Sequence, residues 1–273
     1  MKSFRHHARA IAVMATCALA LTACSGAVED DVDAVPAGSS AQAENDAQLV
    51  NEGVIVIAMS GEFRPFSYFE NNELTGFDYD IAVAIAENLD LELKTETAAF
   101  ASLIQGLQSN RYDALIASVT PTEERAEVVD FTEPYYTDGA GYFVSTDSDC
   151  EAFDIEADLN VGVANGTTYD AYLRDEGFKG EVTSFESDVT ALEDTEVGRL
   201  DGTITGLLVG LFQIQDAERD LRQCGEPLYT ESPAIAVAKD NPLKDDIDGA
   251  LQAIKDDGTY AEISEKWFGE DIS

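Results

Sequence analysis

The sequence predicts an α/β protein built from two similar lobes with a cleft between them. Three observations support this. Short β-branched runs alternate with helical patterns over residues 53–118, a glycine-containing stretch at 135–145 interrupts the alternation, and a second alternating unit follows it. Strands that alternate with helices favour parallel sheets covered by helices on both faces. The 273 residues leave room for one or two such domains.

The first 23 residues have the pattern of an export signal. The basic stretch MKSFRHHAR precedes the apolar run AIAVMATCALAL, which is too short to span a bilayer comfortably. Residues 21–24, LTAC, at the end of this run resemble a lipobox, which predicts cleavage before Cys24 and a lipid on its thiol. An ordinary secretory signal is the alternative. Residues 24–50 are polar and acidic, and they predict a flexible tether.

Loss of the signal limits the possible chemistry. His6 and His7 both lie in it, so the exported chain would hold no histidine, which excludes histidine-based catalysis and histidine metal sites. It would carry 13 basic and 54 acidic side chains, a net charge of about −41, and such a surface repels nucleic acid. No calcium-loop motif accompanies the acids. We therefore expect no metal, no cofactor and no nucleic-acid partner.

Two cysteines would remain as thiols. Cys17 leaves with the signal and Cys24 is the predicted lipidation site, so Cys150 and Cys224 are left. In an oxidising exterior, one disulfide between them is the simplest arrangement. The sequence therefore predicts a structural bond between these two residues.

Each element of the two units follows from its pattern. In the first unit, GVIVIAM, LELKTE and YDALIAS predict strands. Between them, YDIAVAIAENL and FASLIQGLQSNR predict helices with one buried face. In the second unit, LNVGVANG, GEVTSF and DGTITGLL predict strands, separated by the helices TTYDAYLRDEG and DVTALEDTEVG. The strand SPAIAVAK then leads into a long helical region, 242–269.

Four segments, in the right order over nearly all of residues 51–270, resemble the family 3 extracellular solute-binding proteins, the polar amino-acid binders of ABC importers. They are RPFSYFENNELTGFDYDIAVAIAENL, FASLIQGLQSNRYDALIASVTPTEERAEVVDFTEPYY, VGVANGTTYDAYL and DGTYAEISEKWFG. The resemblance implies a two-lobed periplasmic-binding-protein-like (type II) fold. It also implies that the protein closes on its ligand and delivers it to a membrane permease.

We expect the first lobe to comprise residues 51–137 and 235–273, and the second residues 143–230. Residues 138–142 and 231–234 would form the crossings, where small residues and short links absorb the dihedral changes of closure.

The stretch ASVTPTEER, 117–125, predicts a carboxylate clamp. Its turn brings backbone N–H groups and the hydroxyls of Ser118 and Thr120 to the cleft, just before a helix start that favours an anion. Arg125 offers a fork of donors that matches a carboxylate, and the family's matching arginine holds the ligand's α-carboxylate. The alternative is a surface ion pair with Glu123 or Glu127.

The stretch ANGTT repeats this pattern in the second lobe. Gly166 lets the backbone approach a ligand, and Thr167 and Thr168 present amides and hydroxyls at another helix start. The resemblance implies that Thr168 also contacts the carboxylate. The alternative is that the stretch only caps the helix.

Two phenylalanines are expected as side walls of the ligand site. Phe63 and Phe100 match positions where the family places aromatic residues over the ligand. Either residue could instead belong to the core, as most phenylalanines do.

The chain departs from the family where the ligand's amino group binds. Gly206 stands in place of the usual aspartate, and Ser60 in place of a common first-lobe acid; both are included among the candidate site residues. An ammonium would then meet only hydroxyls and carbonyls, unless Glu62 or Glu70 compensates. Ala164 stands where some members read the side chain. These departures predict weak binding of ordinary amino acids and better binding of carboxylates whose nitrogen is absent, substituted or delocalised.

Three functions remain open. The first is a monomeric, lipid-anchored extracytoplasmic receptor that binds an amino acid or related small carboxylate and serves an ABC permease and its ATPase. The second is an enzyme on the same fold, since some cyclohexadienyl dehydratases resemble these binders; it would use a cleft carboxylate such as Glu62. The third is a sensory binding module.

Overall fold

A computed structural model describes residues 48–273. The predicted signal peptide 1–23, the predicted lipidation site Cys24 and most of the predicted tether 24–50 lie outside these residues. Within residues 48–273, no helix combines the length and apolar character needed to cross a bilayer.

The elements follow one another in the alternating order that the patterns predict, with additional short strands. The strands are β1 (Val54–Met59), β2 (Glu62–Phe63), β3 (Ser67–Glu70), β4 (Glu73–Thr75), β5 (Glu92–Thr97), β6 (Ala114–Val119), β7 (Val129–Pro134), β8 (Asp138–Ser145), β9 (Asn160–Ala164), β10 (Glu181–Phe185), β11 (Gly202–Gly206), β12 (Leu221–Gln223), β13 (Thr230–Glu231) and β14 (Ala234–Ala238). The helices are α1 (Phe77–Asn88), α2 (Phe100–Gln108), α3 (Glu123–Ala126), α4 (Thr168–Asp175), α5 (Asp188–Glu196), α6 (Leu207–Gln215), α7 (Leu243–Asp256) and α8 (Thr259–Phe268).

Each of the two lobes is built on a β-sheet in which five strands lie side by side. The first lobe is built on the order β5-β1-β6-β14-β7, in which β5, β1 and β6 are parallel and β14 is antiparallel to both of its neighbours. The second lobe is built on the order β10-β9-β11-β8-β12. There β10, β9 and β11 are parallel, and β8 is antiparallel to β11 and β12. The predicted fold class, α/β with two lobes, is confirmed.

Apolar side chains of the helices cover both faces of each sheet. In the first lobe, α1, α7 and α8 bury one face through residues such as Ile81, Leu251 and Tyr260, and α2 buries the other through Leu103. In the second lobe, α4 packs through Leu173 on one face, while α5 and α6 cover the other. Near-continuous burial along β1, β6 and β14 fits strands covered on both sides.

Some local predictions were wrong. The stretch 135–145, read as a break in the pattern, is mostly β8, and 201–208, read as one strand, ends at Gly206 where α6 begins. The predicted terminal helical region, 242–269, is confirmed; it consists of two helices, because Gly258 adopts a left-handed conformation with φ 91° between them. The antiparallel hairpins β2-β3-β4 were not predicted.

The predicted disulfide is present. Cys150 and Cys224 are bonded with their Cα atoms 5.4 Å apart, which ties the loop after β8 to the end of β12. The bond spans 74 residues of sequence and lies within the second lobe.

The two segments that join the lobes pair with each other. Ala234 pairs with Pro134 between β14 and β7, Tyr135 N donates to Pro233 O at 3.0 Å, and β13 then pairs with the start of β8. The two connections therefore form one continuous antiparallel ribbon.

Candidate functional site

A cavity of about 40 Å³ lies where the parallel strands of both sheets end. The residues that follow β1, β5, β6, β9 and β10 all contribute to its wall, since the carboxyl ends of parallel strands gather at one edge of a sheet. Eight of the nine predicted ligand-binding residues line it: Ser60, Phe63, Phe100, Ser118, Thr120, Arg125, Thr167 and Thr168. The alternative that Arg125 is a surface ion pair is wrong, because it forms no salt bridge with any acid of residues 48–273.

Arg125 is held at the cavity by backbone carbonyl groups from both lobes. Its Nη1 donates to Thr120 O at 2.6 Å, and its Nη2 donates to Gly166 O at 2.9 Å. The guanidinium carbon lies 5.6 Å from the centroid of the Phe100 ring. Burial lowers the pKa of Arg125, an effect that the nearby Glu231 opposes. A guanidinium has five N–H donors, so this fixed group keeps donors for an anionic ligand.

The turn that carries Ser118 is fixed from behind by a buried acid. Ser118 adopts a left-handed conformation with φ 53°, and its N–H donates to Tyr135 Oη at 3.1 Å. Tyr135 in turn donates to Asp78 Oδ1 at 2.7 Å, at the start of α1. Burial raises the pKa of Asp78 to about 7. This relay sets the backbone geometry of the predicted clamp.

The two threonines of the second lobe have different roles. Thr167 caps α4: its Oγ1 accepts from Asp170 N at 3.3 Å and donates to Ala164 O at 2.7 Å. Its hydroxyl is thus occupied by the backbone, as the capping alternative proposed. Thr168 donates its hydroxyl to Glu231 Oε1, so its orientation depends on that acid.

Two buried carboxyl groups that were not predicted lie in the cavity, in addition to Glu62, which was suggested as a compensating acid. Glu231 and Asp188 both line the cavity and are each 5% exposed. Burial raises the pKa of Asp188 to about 6, with a smaller contribution from Glu231. Of the two acids suggested as compensating residues, Glu62 lines the cavity and Glu70 does not. Glu186 also lines the cavity. Arg125 therefore shares the cavity with two buried carboxyl groups.

Gly206 is the predicted site residue that does not line the cavity. A Cβ atom placed there would lie 2.7 Å from Asp138 Oδ2 and 3.2 Å from the hydroxyl of Tyr169. Asp138 sits in the antiparallel neighbour β8, and its Oδ1 accepts from Leu208 N at 3.2 Å. Burial raises the pKa of Asp138 to about 7. The volume of the missing side chain is thus partly taken by a carboxyl group from another strand.

Sequence reasoning also missed Tyr169, Glu186, Ser187, Asp188 and Glu231. The rule that ligands bind at the carboxyl ends of strands could have found the first four, since they follow β9 or β10 closely. Glu231 carries no such signal: it lies on a two-residue strand in the return connection. In residues 48–273, no group of three or more His, Cys, Asp or Glu residues is arranged to hold a metal ion.

The chain is similar to known binding proteins over most of its length. The family model of the bacterial extracellular solute-binding proteins, family 3, matches residues 55–270. The probable amino-acid-binding protein YxeM of Bacillus subtilis (strain 168) is 30% identical over 235 residues, 84% of this chain and 89% of that protein.

Two solved structures extend this likeness to the fold. An ancestral arginine-binding protein bound to arginine has a TM-score of 0.74 and 34% identity, covering 80% of this chain and 99% of that one. The ancestral amino acid-binding protein AncCDT-1, a precursor of cyclohexadienyl dehydratase, has a TM-score of 0.73 and 28% identity, covering 79% of this chain and 96% of that one. The order of elements, the paired lobes and these matches agree, and the chain belongs to the bacterial extracellular solute-binding proteins of family 3.

Proposed function

We propose that the protein is the extracytoplasmic receptor of an ABC importer and that it binds an α-amino acid between its two lobes. One observation carries the proposal: a small cavity between the lobes presents the guanidinium of Arg125 together with the carboxyl groups of Glu231 and Asp188. A zwitterion needs both signs of charge in a site that excludes water. The solved relative bound to arginine supports an amino acid as the ligand class.

In this proposal the ligand's carboxylate binds Arg125 together with the backbone N–H groups after β6 and β9. Arg125 donates to Gly166 O of the opposite lobe, so the clamp and the closure of the lobes are coupled. The ammonium binds at Glu231 and Asp188, which replace the aspartate expected at Gly206. A ligand without a free ammonium was expected because Gly206 and Ser60 replace the usual acids, and in this proposal Glu231 and Asp188 supply the missing charge.

The proposal also includes the lobe boundaries, the lipid anchor and the partner subunits. The first lobe comprises residues 51–137 and 235–273, the second residues 143–230, and the crossings residues 138–142 and 231–234. A lipid on Cys24 anchors the monomeric protein outside the cell membrane, and a permease and an ATPase receive the ligand. The role is binding and not catalysis.

A thermal-shift screen of the proteinogenic amino acids, followed by titration calorimetry, tests the ligand class. We expect saturable binding of at least one α-amino acid. For the best ligand, its decarboxylated amine and its deaminated acid should both bind at least about tenfold more weakly, because each leaves buried charges unpaired. Equal binding of the deaminated acid would contradict the role given to Glu231 and Asp188.

A second candidate function is a dehydratase-type enzyme. Asp188 lines the cavity, and its pKa of about 6 suits a general acid near neutral pH. AncCDT-1, which has this fold, is a precursor of cyclohexadienyl dehydratase. Chromatographic assay of cyclohexadienyl acids incubated with the protein tests it: product formation that Asp188→Asn abolishes would favour the enzyme.

A further inference from the structure

A second, larger chamber adjoins the inner cavity. It has a volume of about 720 Å³, and four residues line both spaces: Ser60, Glu62, Glu186 and Ser187. Ser187 Oγ donates to Glu62 O at 3.1 Å, so a contact between the lobes marks the boundary. The inner cavity of about 40 Å³ has room for about three water molecules. It therefore suits the head group of a ligand, and a longer ligand would continue into the chamber.

Arg64 lines this chamber and is not needed by the inner site. Its guanidinium carbon lies 4.8 Å from the ring centroid of Tyr68 in β3 and 5.3 Å from that of Phe212 in α6. Aromatic rings contact the faces of a guanidinium, whereas its N–H donors lie in its plane. The stacking thus fixes the group and leaves its edge able to donate.

The guanidinium of Arg64 has no acidic partner. Among residues 48–273 it forms no salt bridge, and its Nε is buried without a hydrogen-bond partner. None of the three acids that line the chamber lies within salt-bridge distance of it. Glu193 is bound by Arg219 at 2.6 Å, and Glu62 and Glu186 lie at the boundary with the inner cavity.

We propose that Arg64 forms a second carboxylate subsite, so that the protein accepts amino acids that carry a second amino-acid head group. The proposal rests on the proposed function, because the first head group occupies the inner cavity at Arg125. The distal carboxylate binds the edge of Arg64. The distal ammonium lies near Glu62 and Glu186, which line the same chamber.

Two matched ligand pairs test the subsite by titration calorimetry. LL-2,6-diaminopimelate and L-lysine differ only in the distal carboxylate, as do L-cystine and the mixed disulfide of L-cysteine with cysteamine. We expect the two-headed member of at least one pair to bind the wild-type protein about tenfold more tightly or better, as a charge-assisted contact predicts. Equal binding within both pairs would overturn the subsite and leave the proposed function standing.

Substitutions test whether Arg64 causes the preference for the two-headed ligand. Arg64→Gln should bring the two members of the pair within about threefold of each other, chiefly by weakening the two-headed member, and Arg64→Lys should keep part of the preference. Arg111→Gln, which removes an exposed arginine elsewhere on the first lobe, should change neither affinity. A preference that survives Arg64→Gln, or an equal loss for both members, would overturn the assignment. Absence of binding by any α-amino acid to the wild type would instead overturn the proposed function, and this inference with it.

Discussion

Replacement of Arg125 by alanine should remove ligand binding while the fold persists. Two of its N–H donors already bind the carbonyl groups of Thr120 and Gly166, which leaves donors for two charge-assisted hydrogen bonds to a carboxylate. Each such bond contributes about 1.5–3 kcal/mol, so we expect the loss of two to cost about 3–6 kcal/mol. This corresponds to an increase in Kd of about two hundredfold to about twenty thousandfold.

Titration calorimetry with the best amino acid from the screen measures the loss. Arg125→Lys should recover only part of it, because an ammonium keeps the charge and loses the planar fork. The melting temperature without ligand should change little, since Arg125 contributes to none of the hydrophobic clusters of residues 48–273. Arg111→Ala serves as the matched control on the exposed surface of the same lobe. Binding of the Arg125→Ala protein within about threefold of the wild type would refute the clamp.

Three further predictions concern the framework of the site. Burial raises the pKa of Asp78 to about 7, so its neutral form stabilises the fold at low pH and that contribution is lost as pH rises towards and through 7. Asp78→Asn should therefore flatten the fall in unfolding free energy between about pH 4 and pH 7 in denaturant titrations. An unchanged slope would argue against this role. Cys224→Ser should lower the unfolding free energy by about 2–4 kcal/mol, because the bond to Cys150 closes a long loop. If the variant were as stable as the wild type, the bond would be dispensable. Gly206→Ala should cost about 1–3 kcal/mol, since its methyl group would meet Asp138 at 2.7 Å; a neutral effect in the same titrations would show that Asp138 moves freely.

The parts of the site that lie in local patterns could be predicted from the sequence. The turn before Arg125 and the cap at Thr167 each occupy a few consecutive residues, and their backbone geometry follows from residue type. The pair Cys150 and Cys224 followed from counting the remaining thiols. Such features depend little on how distant segments pack.

The acids of the pocket could not be predicted in this way. Glu231 reaches the cavity only because the chain returns beside β8, and nothing in its neighbouring residues indicates that contact. Gly206 was interpreted as the loss of an anion, because a sequence does not show that Asp138, 68 residues earlier, approaches the same position. Antiparallel neighbours of this kind depend on tertiary pairing, which overrides local propensity.

The ribbon that joins the lobes has a mechanical consequence. Two strands hydrogen-bonded along their length resist sliding past each other, so the lobes cannot shear without breaking the pairs of Gly139 with Thr230 and of Asp138 with Glu231. Bending and twisting of the ribbon keep those bonds, and we expect the lobes to open mainly about one axis. Distances between several pairs of spin labels across the cleft, measured with and without ligand, test this expectation. Rotation about one axis would change all the distances in a correlated way, whereas shear would change them independently. Glu231 belongs to the ribbon and also accepts a hydrogen bond from Thr168 of the second lobe. If it binds the ligand's ammonium as proposed, that part of the site would stay close to the hinge axis and bound to the second lobe while the lobes open.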